Sequence, residues 1–495
     1  MNISKKEIVF FLLVWMSMAI FFTIISPLVM YDGDDWVNLG NMRVIALPKW
    51  GDFNPSKVLP ETSMPFVGLI GAYIIYPIIN DYVLSITIAS ALFISISIAI
   101  YVYMFKRLIV NAFDLKFYRA VSMSIIFLLL HFLILKAHNY NNIHVLYSKD
   151  LTCYFHYVQP FLLNASLVMY LLTDLIKPVH YKDWSILKIS IFIFICYLAV
   201  FSNLLSSIVL IAFIIGVILL NFKLNKNVMQ EIRRIWDEYV CYRYLVIAWI
   251  ISLVFEANGG RSNMIGKSIA EMEIIKTADD FLKFLINNAN GLYIGLFAML
   301  LFCGGAIIIY FQSSKEKYEE NFRKACIYVI VSIPIWLCYT VLVSAKTGSP
   351  YIVRPDVNSG FFFYFLLIIM VSASYIISKK PKMYYIVPIL ILIMFSRAAN
   401  QKTLLPSNYL NAPASICVAV DNDIIQQCIY QAENNVENPE IHVPVGDDKD
   451  NWPIPLYRGG TIFQTLYYHG IIDKYYDKAL IVPDASMNKK YGLER

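Results

Sequence analysis

Residues 8–30 read IVFFLLVWMSMAIFFTIISPLVM, an unbroken apolar run behind Lys5 and Lys6 at the start of a 495-residue chain. About 20 apolar residues cross the hydrocarbon core of a bilayer as one helix. The run is too long for the apolar region of a signal peptide, and no small-residue cleavage site follows it, so it reads as a retained first span. The same composition continues along the chain, with 58% hydrophobic and 15% charged residues and a positive mean hydropathy. That balance excludes an ordinary soluble domain and a disordered chain. No ten-residue alternation of the kind a membrane barrel needs occurs. The expected fold is an α-helical polytopic membrane protein.

Apolar runs place spans at 8–30, 82–104, 120–137, 157–176, 189–203, 204–221, 244–256, 291–311, 326–344, 360–378 and 384–397. Lys and Arg concentrate in short cytoplasmic loops and orient such spans. With a cytoplasmic N-terminus, 21 of the 41 Lys and Arg fall on inside segments, 11 on the outside loops and their edges, 8 in the C-terminal tail, and Arg397 at the end of the last span. The net charge of +6 is therefore a topology signal and implies no nucleic-acid partner. Eleven spans put the C-terminus outside.

The stretch 65–80, PFVGLIGAYIIYPIIN, is apolar but short, and a span there would move Lys106 and Arg107 to the outside. It reads as a re-entrant or interfacial helix on the outer face, behind an acidic loop at 31–64; a short twelfth span is the alternative. Residues 1–397 form the membrane domain. Residues 398–495 form a small external α/β unit, with strands expected at SICVAV, EIHVPV and ALIVPD and helices at DNDIIQQCIYQAE and TIFQTLYYHGII. Of the eight cysteines, Cys417 and Cys428 lie in this unit, one on an expected strand and one on the helix after it. An oxidising compartment would permit a disulfide between them; the other cysteines have no metal-ligand spacing.

The first span ends in YDGDDW, residues 31–36, with Asp32, Asp34 and Asp35 within four positions. Carboxylates are costly in hydrocarbon, and at such depth they are functional hypotheses by default. The plainer reading is an acidic turn that stops the span, bent at Gly33. Tyr31, Trp36, Arg43 and the apolar stretch behind the loop weigh toward function. Arg354 in SPYIVRPDV, Lys136 at the end of the third expected span and Arg43 are cations on the outer edge, where topology disfavours them. Arg354 could equally pair with Asp356, Lys136 could snorkel to the interface, and Arg43 could neutralise Asp35. His144 and His156 lack the spacing and carboxylate partners of a metal site and stay unassigned.

This layout resembles the GT-C superfamily of membrane glycosyltransferases, and within it the bacterial and phage serotype-converting O-antigen glucosyltransferases. The resemblance rests on YDGDDW after the first span, the apolar stretch 65–80, about eleven spans, and an external C-terminal unit carrying NWPIPLYRGGTIFQTLYYHG at 451–470. It implies transfer of a sugar, glucose in that subfamily, from a polyprenyl-phosphate donor to an O-antigen glycan on the periplasmic face of the bacterial inner membrane. It further implies an inverting single displacement with Asp34 or Asp35 as general base, and donor-phosphate binding by Arg354, Lys136 or Arg43. Trp452, Tyr457 and Arg458 would bind the acceptor. No cofactor is expected; a divalent cation across the acids is the less favoured reading. The implied partners upstream are a glucosyltransferase that makes the donor and a flippase that delivers it. Two rival readings are an O-antigen polymerase, which calls for large central external loops, and a lipid-linked glycan flippase or transporter, which calls for charged or broken spans and two related halves.

Overall fold

The computed structural model describes residues 4–31, 33–40, 55–135, 144–148, 150–178, 183–223, 227–257, 271–287, 289–313, 317–400, 412–446 and 452–493. In chain order the helices are α1 (Lys5–Ile25), α2 (Gly33–Gly40), α3 (Val58–Ile79), α4 (Tyr82–Phe113), α5 (Phe117–Leu133), α6 (Leu151–Ile176), α7 (Ile186–Val200) and α8 (Leu204–Asn221). They continue with α9 (Val228–Glu238), α10 (Val240–Ala257), α11 (Ile274–Asn287), α12 (Ala289–Gln312), α13 (Lys317–Thr347), α14 (Pro355–Lys379) and α15 (Val387–Asn400). The C-terminal part contains α16 (Ala414–Glu433), β1 (Glu440–Val443), α17 (Gly459–Tyr468), β2 (Leu480–Pro483) and α18 (Ala485–Lys490).

Among the described residues seven helices, α1, α3, α4, α6, α8, α13 and α14, are long and apolar enough to cross a membrane. The pair α9 and α10, bent by 97°, makes an eighth if taken as one span. The expected spans at 120–137, 189–203, 291–311 and 384–397 fall on shorter apolar helices. The chain is thus helical and membrane-spanning in character, with seven or eight full-length candidates where eleven were expected. Short polar side chains start several of these helices by satisfying orphan amides. Asp81 accepts from the Leu84 amide at 2.9 Å, Asp150 from Cys153 at 2.6 Å, and Asn203 from Leu205 at 2.8 Å.

Side-chain contacts give the helix directions. Lys106 pairs with Glu7, and the Trp15 indole donates to the Leu92 carbonyl at 2.9 Å, so α1 and α4 run antiparallel. Phe93 stacks on Phe155 and Arg107 lies over the Tyr170 ring, so α6 runs with α4. One end of the bundle therefore gathers Lys106, Arg107, Lys317 and Lys379, and the opposite end gathers Asp35, Asp150 and Arg354. Aromatic stacks pack the helices near the basic end, with Phe105 on Phe127 at 4.2 Å and Phe322 on Tyr375 at 4.5 Å.

Helix α3 covers the stretch expected to be re-entrant, but it begins at Val58 rather than 65. Its length and hydropathy suffice to cross a membrane, yet both its ends are tied to the acidic end of the bundle. At its start, the Lys57 amide donates to Phe201 O at 2.5 Å and its ammonium pairs with Glu256 at 2.9 Å. The turn at 201–206 sits beside the beginning of α6, since Ser206 donates to Tyr157 O and Asn164 to Ala199 O. At its finish, Asn80 turns the chain in the left-handed region, φ 58°, directly into α4.

The C-terminal unit departs from expectation at its first element. SICVAV is no strand; it opens the 20-residue helix α16. The local run of Ile and Val suggested a strand, but buried Cys417, Val420, Ile424, Ile425 and Cys428 recur at helical spacing over the longer window. The disulfide expected between Cys417 and Cys428 is also overturned, and both are free thiols. At 1.5 Å rise per residue their Cα atoms stand roughly 16 Å apart on one helix, beyond the ~7 Å a disulfide tolerates. The strands at 440–443 and 480–483 form as expected and pair in parallel, Glu440 opposite Leu480. The free edge of β1 is closed by side chains. Gln427 exchanges two hydrogen bonds with the backbone of His442, and Gln431 two with that of Glu440, at 2.6 to 2.9 Å, which protects a two-stranded sheet from edge pairing.

Candidate functional site

The acidic segment folds as α2, and the C-terminal unit docks directly on it. Thr465 of α17 donates to Trp36 O at 2.7 Å. A Cβ on Gly40 would come within 2.2 Å of Thr465 Oγ1, and one on Gly33 within 2.7 Å of Pro455, so glycine at both positions permits the close approach. Further contacts bind the unit to α3 and α4: Tyr73 donates to Tyr468 O at 2.8 Å, and Tyr82 Oη lies 2.6 Å from His469 Nδ1.

This docking joins YDGDDW to the 452–458 segment, more than 400 residues away. The Tyr31 and Trp452 rings lie 6.1 Å apart. Arg458 Nη2 stands 3.6 Å from Asp34 Oδ1, and the Arg458 guanidinium lies over the Tyr457 ring. The candidate base Asp34 and the acceptor-side candidates Trp452, Tyr457 and Arg458 thus share one site.

The two neighbouring carboxylates have different surroundings. Asp34 is 56% exposed. Asp35 is fully enclosed; its Oδ2 accepts from the amides of Tyr31 at 2.8 Å and Leu151 at 3.3 Å, and its Oδ1 from Thr152 at 2.6 Å. Burial, and then the nearby charge of Asp150, push its pKa up to about 7, against the opposing effect of the amide donors. Asp35 therefore clamps the α2 segment to the start of α6, with both oxygens engaged.

Through α6 the site continues to Arg354. Its Nε and Nη2 form a bidentate pair with Asp356 at 3.0 and 2.6 Å, Nη2 also reaches Cys153 Sγ at 3.2 Å, and the guanidinium covers the Tyr157 ring at 4.7 Å. Ser148 donates to Asp356 at 2.7 Å. The alternative foreseen for Arg354, an ion pair with Asp356, is what forms. Its Nη1 makes no hydrogen bond among the described residues, and the side chain is 30% exposed. Lys136, Arg43 and Asp32 lie outside the described residues. His144, left unassigned, is enclosed by Phe21, Phe22, Phe132 and Tyr147, and burial lowers its pKa to about 3, so it is a neutral core residue.

Sequence reasoning overlooked Asp150 and Ser148. Asp150 had a readable signal, an acid directly before an apolar helical run, which marks an N-cap. Nothing local marks Ser148. No protein-family model, curated protein or solved structure matches the chain. The chemistry of the site has to carry the functional argument.

Proposed function

We propose that the protein is a membrane glycosyltransferase that moves a sugar, glucose by resemblance, from a polyprenyl-phosphate donor to an O-antigen glycan at the acidic end of the bundle. That end would be periplasmic, in a bacterial inner membrane. The observation that carries this reading is the meeting of an exposed carboxylate, Asp34, with Arg458 at 3.6 Å, at the end of the bundle that also holds Arg354. Acceptor hydroxyl, anomeric carbon and leaving phosphate need those groups in one place.

In this reading Asp34 is the base. It takes the acceptor proton as the acceptor oxygen bonds to the anomeric carbon, and the carbon–phosphate oxygen bond breaks with its electron pair leaving on the polyprenyl phosphate. Arg354 and the Arg458 guanidinium neutralise that phosphate as its charge grows. Asp35 is a positioning residue, because its oxygens are occupied by backbone amides. Trp452, 9% exposed, is mostly packing, and Tyr457 is the freer aromatic face for a sugar.

The test is transfer of labelled glucose from polyprenyl-phosphate glucose to isolated O-antigen, in membranes carrying wild type or Asp34→Asn at matched expression. Transfer by wild type and its loss in the variant support the reading. Equal transfer by both removes Asp34 from the chemistry. No transfer by wild type overturns the reading, and polymerase and flippase assays follow.

A further inference from the structure

The C-terminal unit carries an aromatic surface that the proposed chemistry does not use. Tyr467, Tyr468 and Tyr475 are each about two-fifths exposed, and their rings lie 5.5 to 6.2 Å from one another. Beneath them Phe463 packs on Tyr476 at 4.7 Å and fixes the layer from inside. Soluble surfaces seldom cluster three such rings without a partner.

The cluster is continuous with the end of α3. The Tyr73 hydroxyl donates to Tyr468 O, and a Cβ on Gly470 would lie 3.3 Å from the Tyr73 ring. Around Tyr73, the side chains of Ile74 and Ile78 point outward, 60% and 77% exposed. These belong to a helix apolar enough to cross a membrane, so lipid is the medium that covers them. A row that passes from isoleucines to tyrosines has the polarity gradient of a bilayer boundary, where amphipathic rings settle at headgroup level.

We propose that Tyr467, Tyr468 and Tyr475 form a foot that seats the C-terminal unit in the headgroup region of the bilayer, beside the end of α3. This seating depends on the membrane character of the chain and not on transfer chemistry. It holds α17 at the membrane surface, and with it the α2 contact through Thr465 and the Asp34–Arg458 pair.

The test uses the full chain in nanodiscs of phosphatidylcholine and phosphatidylglycerol, with bimane on Tyr468→Cys, Tyr475→Cys or Tyr457→Cys. Wild type taken through the same labelling corrects for native thiols. Lipids bearing a nitroxide at the headgroup or at a shallow acyl position are the quencher. At least twofold stronger quenching at 468 and 475 than at 457, which is 79% exposed on the same unit, is the expected result. Equal quenching at all three overturns the proposal. Weak quenching at 468 and 475, with emission altered by a soluble oligosaccharide, also overturns it and makes the surface a glycan platform. If Tyr468→Cys fails to fold, Tyr467→Cys reads the same face.

Discussion

The two ends of the helix bundle use their charges differently. At the basic end two pairs are enclosed, Lys106 with Glu7 amid Phe10, Tyr103 and Phe117, and Lys379 with Glu319 at 2.6 Å, while the Lys317–Asp114 and Arg234–Glu238 pairs there face solvent. At the acidic end the Asp34–Arg458 pair stays partly open, with Asp34 more exposed than its partner, and Arg354 is part-buried. Enclosed pairs hold helices together, whereas the exposed pair at the acidic end is the one the proposed chemistry uses. The comparison predicts that substitutions at one end cost stability and at the other cost activity.

The largest effect belongs to the open end. Asp34→Asn removes the proposed base but keeps the shape, so on the proposed function transfer is expected to fall ~100-fold or more while yield and thermal midpoint hold. Labelled-sugar transfer read beside a melting curve checks both halves. Glu7→Gln is the converse. It leaves the Lys106 ammonium, 2% exposed, without its counter-charge, and breaking a buried pair costs roughly 3 kcal/mol. The melting curve should shift down while transfer per folded molecule stays at the wild-type value. A loss of both activities in both variants would dissolve the distinction between the ends.

Asp35 sharpens the comparison because it sits at the open end and yet behaves as a closed group. Its pKa in the fold, about 7, lies above the ordinary carboxyl value, so the folded chain holds this proton more tightly than the unfolded chain. Stability is lost as pH rises through that value. The contribution is complete below the ordinary carboxyl range and is lost as pH rises from there through about 7, and Asp35→Asn should flatten the dependence while lowering stability throughout, since one of its acceptors is replaced by a donor. Denaturation at several pH values reads both effects.

The membrane class, most helix positions and both strands were legible because apolar periodicity and length are local properties. The acidic cluster was legible as a cluster, but its division of labour was not. Asp34 and Asp35 are adjacent in sequence, and only the amides of Tyr31, Leu151 and Thr152 distinguish them. The junction of Asp34 with Arg458 joins segments more than 400 residues apart and depends on Gly33 and Gly40 letting two backbones approach. No spacing rule reaches that far. Of the two readings of Arg354, the ion pair with Asp356 is the one the geometry shows.

The smallest expected effect concerns the thiols of α16. Cys417 and Cys428 were readable as a bridge only while SICVAV was a strand. On one helix they face the same core eleven positions apart, which is three turns and the reason both are buried. Oxidising conditions should therefore leave them reduced. In denaturant without reductant each should take up one alkylating group, and mobility on a gel should be the same with and without reductant. A mobility shift removed by Cys417→Ser would require α16 to break between the two residues. That would undo the stripe of Val420, Ile424 and Ile425 on which the C-terminal core is packed, so the gel is a test of the helix as much as of the bridge.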